Sequence, residues 1–93
     1  MKNKDINCAV VEIKGRYPEN GWALNEKCAE LVYVLKGKGL VVIKNDTLEL
    51  GNNANVGDMF LIEHGEKYYW GGNLTLIVSS SPAWYPEQHK IMG

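Results

Sequence analysis

The sequence predicts a small all-β barrel of about eight short antiparallel strands, on three observations. Short runs rich in Val, Ile, Leu and Tyr recur at near-regular spacing, Gly and Asn clusters separate them, and no stretch carries a convincing amphipathic helical period. Strands spaced in this way, with such turns, build a sandwich or a closed jelly roll. A chain of 93 residues holds one core and one domain, 1–93, and contains no internal repeat.

The elements follow in order. Residues 6–13 read as a first strand ended by Lys14-Gly15, and 16–21 as a loop punctuated by Pro18, Asn20 and Gly21. Residues 22–25 are a short extended piece leading to 30–36, a strand dominated by Val, Tyr and Leu and opened by the carboxylate of Glu30. Gly37-Lys38-Gly39 closes it as a hairpin turn, and 40–44 is the next strand. Asn45-Asp46 is a two-residue turn because both types tolerate positive φ, with 47–50 returning from it. A polar loop at 51–55 and a turn at Val56-Gly57-Asp58 precede a strand at 59–62. Residues 63–67 turn again, 68–70 form a short aromatic strand, and Gly71-Gly72-Asn73 is a hairpin turn into 74–80. The tail, 81–93, contains Pro82 and Pro86 and cannot be a central strand; its aromatic content packs it over the barrel mouth or across a dimer interface, burying Trp84.

Composition excludes several classes. Ten basic against eleven acidic residues leave a net charge of −1, which argues against a surface that tracks phosphates. The start lacks the apolar segment of a signal peptide, and no apolar run approaches the ~20 residues of a membrane span, so a cytoplasmic setting is expected. Cys8 and Cys28 are too few for a zinc knuckle or a disulfide framework and are expected to be free, buried thiols.

Within this frame, residues 21–39 and 57–72 resemble the two signature motifs of the cupin superfamily of jelly-roll barrels. Glu30 and Gly37 stand where the first motif has its glutamate and glycine; Gly57-Asp58 and Gly65 match the glycines and aspartate of the second. The resemblance implies a divalent transition metal held by imidazoles and a carboxylate, but the histidine positions are filled differently here. They fall on Leu24 and Glu26 at one spacing, or Ala23 and Asn25 at the other, and Tyr68 takes the place of the third. An oxygen-only set of Glu26, Glu30 and Tyr68 suits such metals poorly, so loss of the metal is the expectation and no cofactor is assigned.

Alternation puts Cys28, Glu30, Val32 and Val34 on one strand face and Leu31, Tyr33 and Leu35 on the other. An inward Glu30 requires a hydrogen-bond partner, and burial raises its pKa toward a range useful for acid–base work. The structural alternative is a rim residue paired with Lys27. Tyr68 and Trp70 share a face while Tyr69 turns away, and Trp22 adds another ring; such surfaces suit sugars and small polar rings, and also fill barrel cores. His64, beside Gly65, reads as an exposed turn residue. Ser79-Ser80-Ser81 lacks the Gly-x-Ser-x-Gly elbow of a nucleophile.

These readings converge on a cupin-like domain that binds a small polar metabolite, such as a sugar, without a catalytic metal. Its expected ligand-binding residues are Glu26, Glu30, Tyr68, Trp70, Trp22 and Asn25. Glu30 and Tyr68 are the catalytic candidates of one alternative, a metal-free isomerase or epimerase. The others are an oxygenase with a rebuilt metal site and a filled-barrel scaffold. The resemblance also implies a homodimer, which would cover exposed edge strands; no nucleic-acid or membrane partner is expected.

Overall fold

A computed structural model describes residues 7–45, 48–82 and 84–92. Among them are seven strands: β1 (Asn7–Tyr17), β2 (Trp22–Asn25), β3 (Ala29–Lys44), β4 (Glu49–Asn55), β5 (Met59–Ile62), β6 (Lys67–Ser81) and β7 (His89–Met92). One turn of 3₁₀ helix, Pro86–Gln88, precedes β7. The long strands β3 and β6 run antiparallel from the Ala29–Ser81 pair to the Lys44–Lys67 pair. On its other edge β3 takes β5 and then β4. On its own other edge β6 takes β1 and then β2, which carries β7 outside it. No helix among the described residues is long and apolar enough to cross a membrane.

The all-β barrel is thus as the sequence predicts, but the strands are divided differently. Gly37-Lys38-Gly39 and Gly71-Gly72-Asn73 are not turns; they lie inside β3 and β6 and face each other in register. These glycines serve close approach. A Cβ on Gly39 would fall on the carbonyl oxygen of Gly71, and one on Gly37 on that of Asn73. A bulge between Val34 and Lys36, with φ of 83° at Gly37 and 102° at Gly72, redirects the two strands at the same level. Tertiary pairing has overridden the local turn signal.

Other boundaries shift for similar reasons. Arg16 and Tyr17 belong to β1, paired with Gly71 and Trp70, rather than to the expected loop. The polar stretch 51–55 is the greater part of β4, an edge strand in which only Ala54 is buried. Asp46 and Thr47, part of the expected hairpin turn and returning strand, lie outside the described residues. Beside them the Asn45 N–H donates to the Leu48 carbonyl (2.9 Å), and the Leu48 N–H donates to Asn45 Oδ1 (3.0 Å). The tail adds β7 at an edge, and its prolines, Pro82 and Pro86, lie before that strand and outside any ladder.

The core follows the alternation of the long strands. Even-numbered residues of β6 point inward through the glycine pair, burying Tyr68, Trp70, Leu74, Leu76 and Ser80. Val32, Val34 and Val41 of β3 and Ile62 of β5 pack with them. Leu31, Tyr33 and Leu35 are exposed, as alternation predicts. Both cysteines are free; Cys28 is buried, but Cys8 is exposed near the start of β1, contrary to expectation.

Candidate functional site

Strands β1, β3 and β6, with the segment leading into β7, enclose a cavity of about 370 Å³ that opens to solvent. Its apolar walls include Val11, Ile13, Val32, Leu76 and Val78, with the rings of Trp70 and Trp84. Its polar groups are Tyr17, Glu30, Tyr68, Ser80 and His89. The same alternation that builds the core delivers these side chains: odd positions of β1, even positions of β3 before its bulge and even positions of β6 face inward.

Glu30 pairs across the sheet with Ser80 and Ile62. Burial raises its pKa above the ordinary carboxylate value, and the polar groups of Asn25, Ser80 and Tyr68 nearby offset part of that by favouring the anion. Tyr68 is pushed strongly upward by burial and then by the charge of Glu30. Tyr17 moves in the same direction for the same two reasons. Both phenols are therefore O–H groups at neutral pH.

Asn25, at the end of β2, is only 2% exposed and gathers residues of the tail around its side chain. Its Oδ1 accepts from Trp84 Nε1 (3.1 Å) and Gln88 Nε2 (3.1 Å), and lies 2.7 Å from His89 Nδ1. The orientation of Gln88 is fixed because its Oε1 accepts the backbone N–H groups of Lys27 (3.1 Å) and Cys28 (3.3 Å). An indole N–H can only donate, so Asn25 must present oxygen to this cluster. His89 Nδ1 therefore carries the proton, and Nε2 accepts from the Tyr17 hydroxyl at 2.8 Å. Burial lowers the His89 pKa, which favours the neutral ring. The Asn25 Nδ2 has no partner within bonding distance; it lies toward Glu30 and Tyr68, where it still favours their anions.

Of the residues expected at the site, Glu30, Tyr68 and Trp70 line the cavity and Asn25 backs it. Glu26 does not: it is exposed, with its carboxylate 4.0 Å from Lys90 on β7. Trp22 is also elsewhere, edge-on to Tyr69 with Lys44 over its ring, because β2 buries Ala23 and Asn25 instead. His64 is exposed in its turn, as expected. The sequence reading missed Tyr17, Ser80 and His89 at the site, and placed Trp84 only as a ring buried by the tail over the barrel mouth or an interface. Alternation would have found Ser80 had β6 been read through its glycines, and Tyr17 had β1 been read through Gly15; no local signal places His89.

No family model matches the sequence, and no curated protein does. Solved structures do. The nucleoside dehydratase Pac13 from Streptomyces, as a tyrosine-to-phenylalanine variant with uridine, superposes with a TM-score of 0.85 at 12% identity, covering 99% of this chain and 71% of that one. The formate complex of oxalate decarboxylase from Lactobacillus farciminis gives 0.80 at 20% identity, covering 96% of this chain and 27% of that one. Oxalate decarboxylase from Bacillus subtilis gives 0.85 at 12%, covering 96% and 24%.

The fold is that of the cupins.

At these identities the likeness establishes the fold of this chain and not its activity. The metal implied by the resemblance can be tested on the donors themselves. Among the described residues no group of three histidine, cysteine or acidic side chains is placed to share an ion. The one imidazole in the cavity is already engaged at both nitrogens, by Tyr17 and Asn25. A lone carboxylate and two neutral phenols do not make a transition-metal site, and the residues present do not fit the group.

Proposed function

We propose that this cupin binds a small, uncharged, hydroxylated ring compound, a nucleoside or sugar, without a metal. The observation that carries this reading is the composition of the cavity wall: apolar surface and two indoles, one half-buried carboxyl, and no lysine or arginine. Glu30, Tyr17, Tyr68 and Ser80 offer donors and acceptors suited to hydroxyls, while Trp70 and Trp84 offer faces for a ring. An anionic ligand would meet Glu30 with no cation to balance it. A volume of about 370 Å³ lies near the lower end of ligand sites and suits one compact molecule. The likeness to Pac13, solved with uridine, supports the nucleoside form of this reading.

Calorimetric titration with uridine, uridine monophosphate, monosaccharides and oxalate tests it. An uncharged compound is expected to bind at least about tenfold more tightly than its phosphate or than oxalate, a gap of about 1.4 kcal/mol. Tight binding of oxalate or of the nucleotide, or no binding by any uncharged member, would overturn it.

We propose also that the chain pairs with a second copy through the outer face of β3 and β5. Leu31 there lies beside Leu61 and Tyr33 beside Met59 in the register, all of them exposed. A contiguous apolar face of this kind supports an interface.

A further inference from the structure

We propose that the cavity takes a second class of ligand, a small organic cation of the alkylated ammonium type, held among aromatic rings with Glu30 as its counter-ion. This goes beyond the reading above, which concerns uncharged compounds, and uses different properties of the same wall.

The first property is the sign of the charges that face inward. Tyr17 on β1 and Tyr68 on β6 both lie near enough to Glu30 on β3 for its charge to act on them. The cations of the barrel are elsewhere. Alternation along β1 turns Arg16 outward, where it donates to the Pro18 and Gly21 carbonyls and covers the Tyr69 ring at 4.0 Å. Its neighbour Tyr17 turns in. Lys44 stands over the Trp22 ring and Lys90 beside Glu26, both outside the cavity. His89 is neutral in the arrangement described above, with Nε2 accepting from Tyr17 and burial lowering its pKa. The wall thus presents one carboxyl and, among the described residues, no side chain of fixed positive charge.

The second property is the aromatic lining. Tyr17, Tyr68, Trp70 and Trp84 come from β1, β6 and the tail and share the one cavity. The face of an aromatic ring is the negative end of its quadrupole and attracts a cation, most strongly where water is displaced. The third is the apolar remainder of the wall, which includes Val11, Val32, Leu76 and Val78. Such a wall strips an alkali ion or a primary ammonium of water without returning the hydrogen bonds it loses. A quaternary ammonium has no N–H to satisfy, and its methyl groups gain by burial against hydrocarbon. Its charge also offsets the desolvation that opposes the Glu30 anion. Rings, carboxyl and hydrocarbon therefore select the same chemistry, a positive charge dressed in methyl groups.

Calorimetric titration with choline chloride, its neutral carbon isostere 3,3-dimethylbutan-1-ol and ethanolamine tests the proposal. Choline is expected to bind at least about tenfold more tightly than either of the others. The isostere has the same shape, so an equal affinity would reduce the effect to apolar burial and overturn the proposal; tighter binding of ethanolamine would overturn it too. Glu30→Gln keeps the shape of the side chain and is expected to lower choline affinity about tenfold, while that of the isostere changes by less than about twofold. Equal losses for both compounds would make Glu30 structural and overturn its part as counter-ion. By NMR, the choline N-methyl protons are expected to show nuclear Overhauser contacts to the ring protons of Tyr17 and Trp84. Contacts confined to an exposed ring outside the cavity, such as Tyr85, would overturn the site. Uridine binding with no choline binding would remove this proposal and leave the uncharged reading standing; choline binding without uridine or a sugar would do the reverse.

Discussion

Burial of the Glu30 carboxyl penalises the folded state whenever the group is ionised. Its pKa is higher folded than unfolded, chiefly through desolvation. The folded chain therefore holds its proton longer, and the associated stability is fully present below the ordinary carboxylate pKa and lost as pH rises through the raised value. Glu30→Gln removes the ionisation while keeping the shape. At pH 8 the variant is expected to melt a few degrees above wild type, on a scale of about 4–8 °C per kcal/mol, and the gap should close below about pH 4. Thermal melts across that range check it; a lower melting temperature for the variant at pH 8 would mean that the carboxylate is held by its hydrogen bonds more strongly than desolvation opposes it. At this scale the inward face of the strand was legible, since alternation alone set Cys28, Glu30, Val32 and Val34 against Leu31, Tyr33 and Leu35.

The long strands explain what was less legible. Gly-x-Gly reads as a turn because glycine readily takes positive φ, yet in β3 and β6 glycines also let two backbones meet without Cβ atoms between them. Cutting the strands there broke the alternation that links Tyr68 and Trp70 to Leu76 and Ser80, and one site residue was lost with it. Gly39→Ala would place a methyl on the Gly71 carbonyl and is expected to destabilise the fold by about 1–3 kcal/mol. Gly51→Ala, whose new methyl would meet only Val42 at 3.7 Å, is the control and should stay within about 0.5 kcal/mol of wild type. Urea denaturation compares the two; equal effects would refute a special role for the β3–β6 crossing.

For the molecule as a whole, barrel class and motif order could be read from spacing, whereas the placement of the tail could not. Nothing near His89 in the chain indicates that β7 will pair with β2 and bring the ring to 2.7 Å from Asn25. Such a contact depends on partners more than sixty residues away. Glu26 and Trp22 were misplaced for the same kind of reason: the phase of β2 is set by its neighbours, which bury Ala23 and Asn25. The proposed pairing of two copies belongs to this scale. Leu61→Glu on the exposed β5 face is expected to convert a dimer of wild-type chains into monomers in analytical ultracentrifugation, with the melting temperature little changed. A wild-type monomer at micromolar concentration, or a dimer indifferent to that substitution, would count against the face.

Trp84 and His89 sit on one short stretch that both walls the cavity and supplies its imidazole, moored through Gln88 and a four-residue edge strand. The cavity wall and its imidazole therefore share one anchorage, and a substitution that loosens Gln88 would disturb both together.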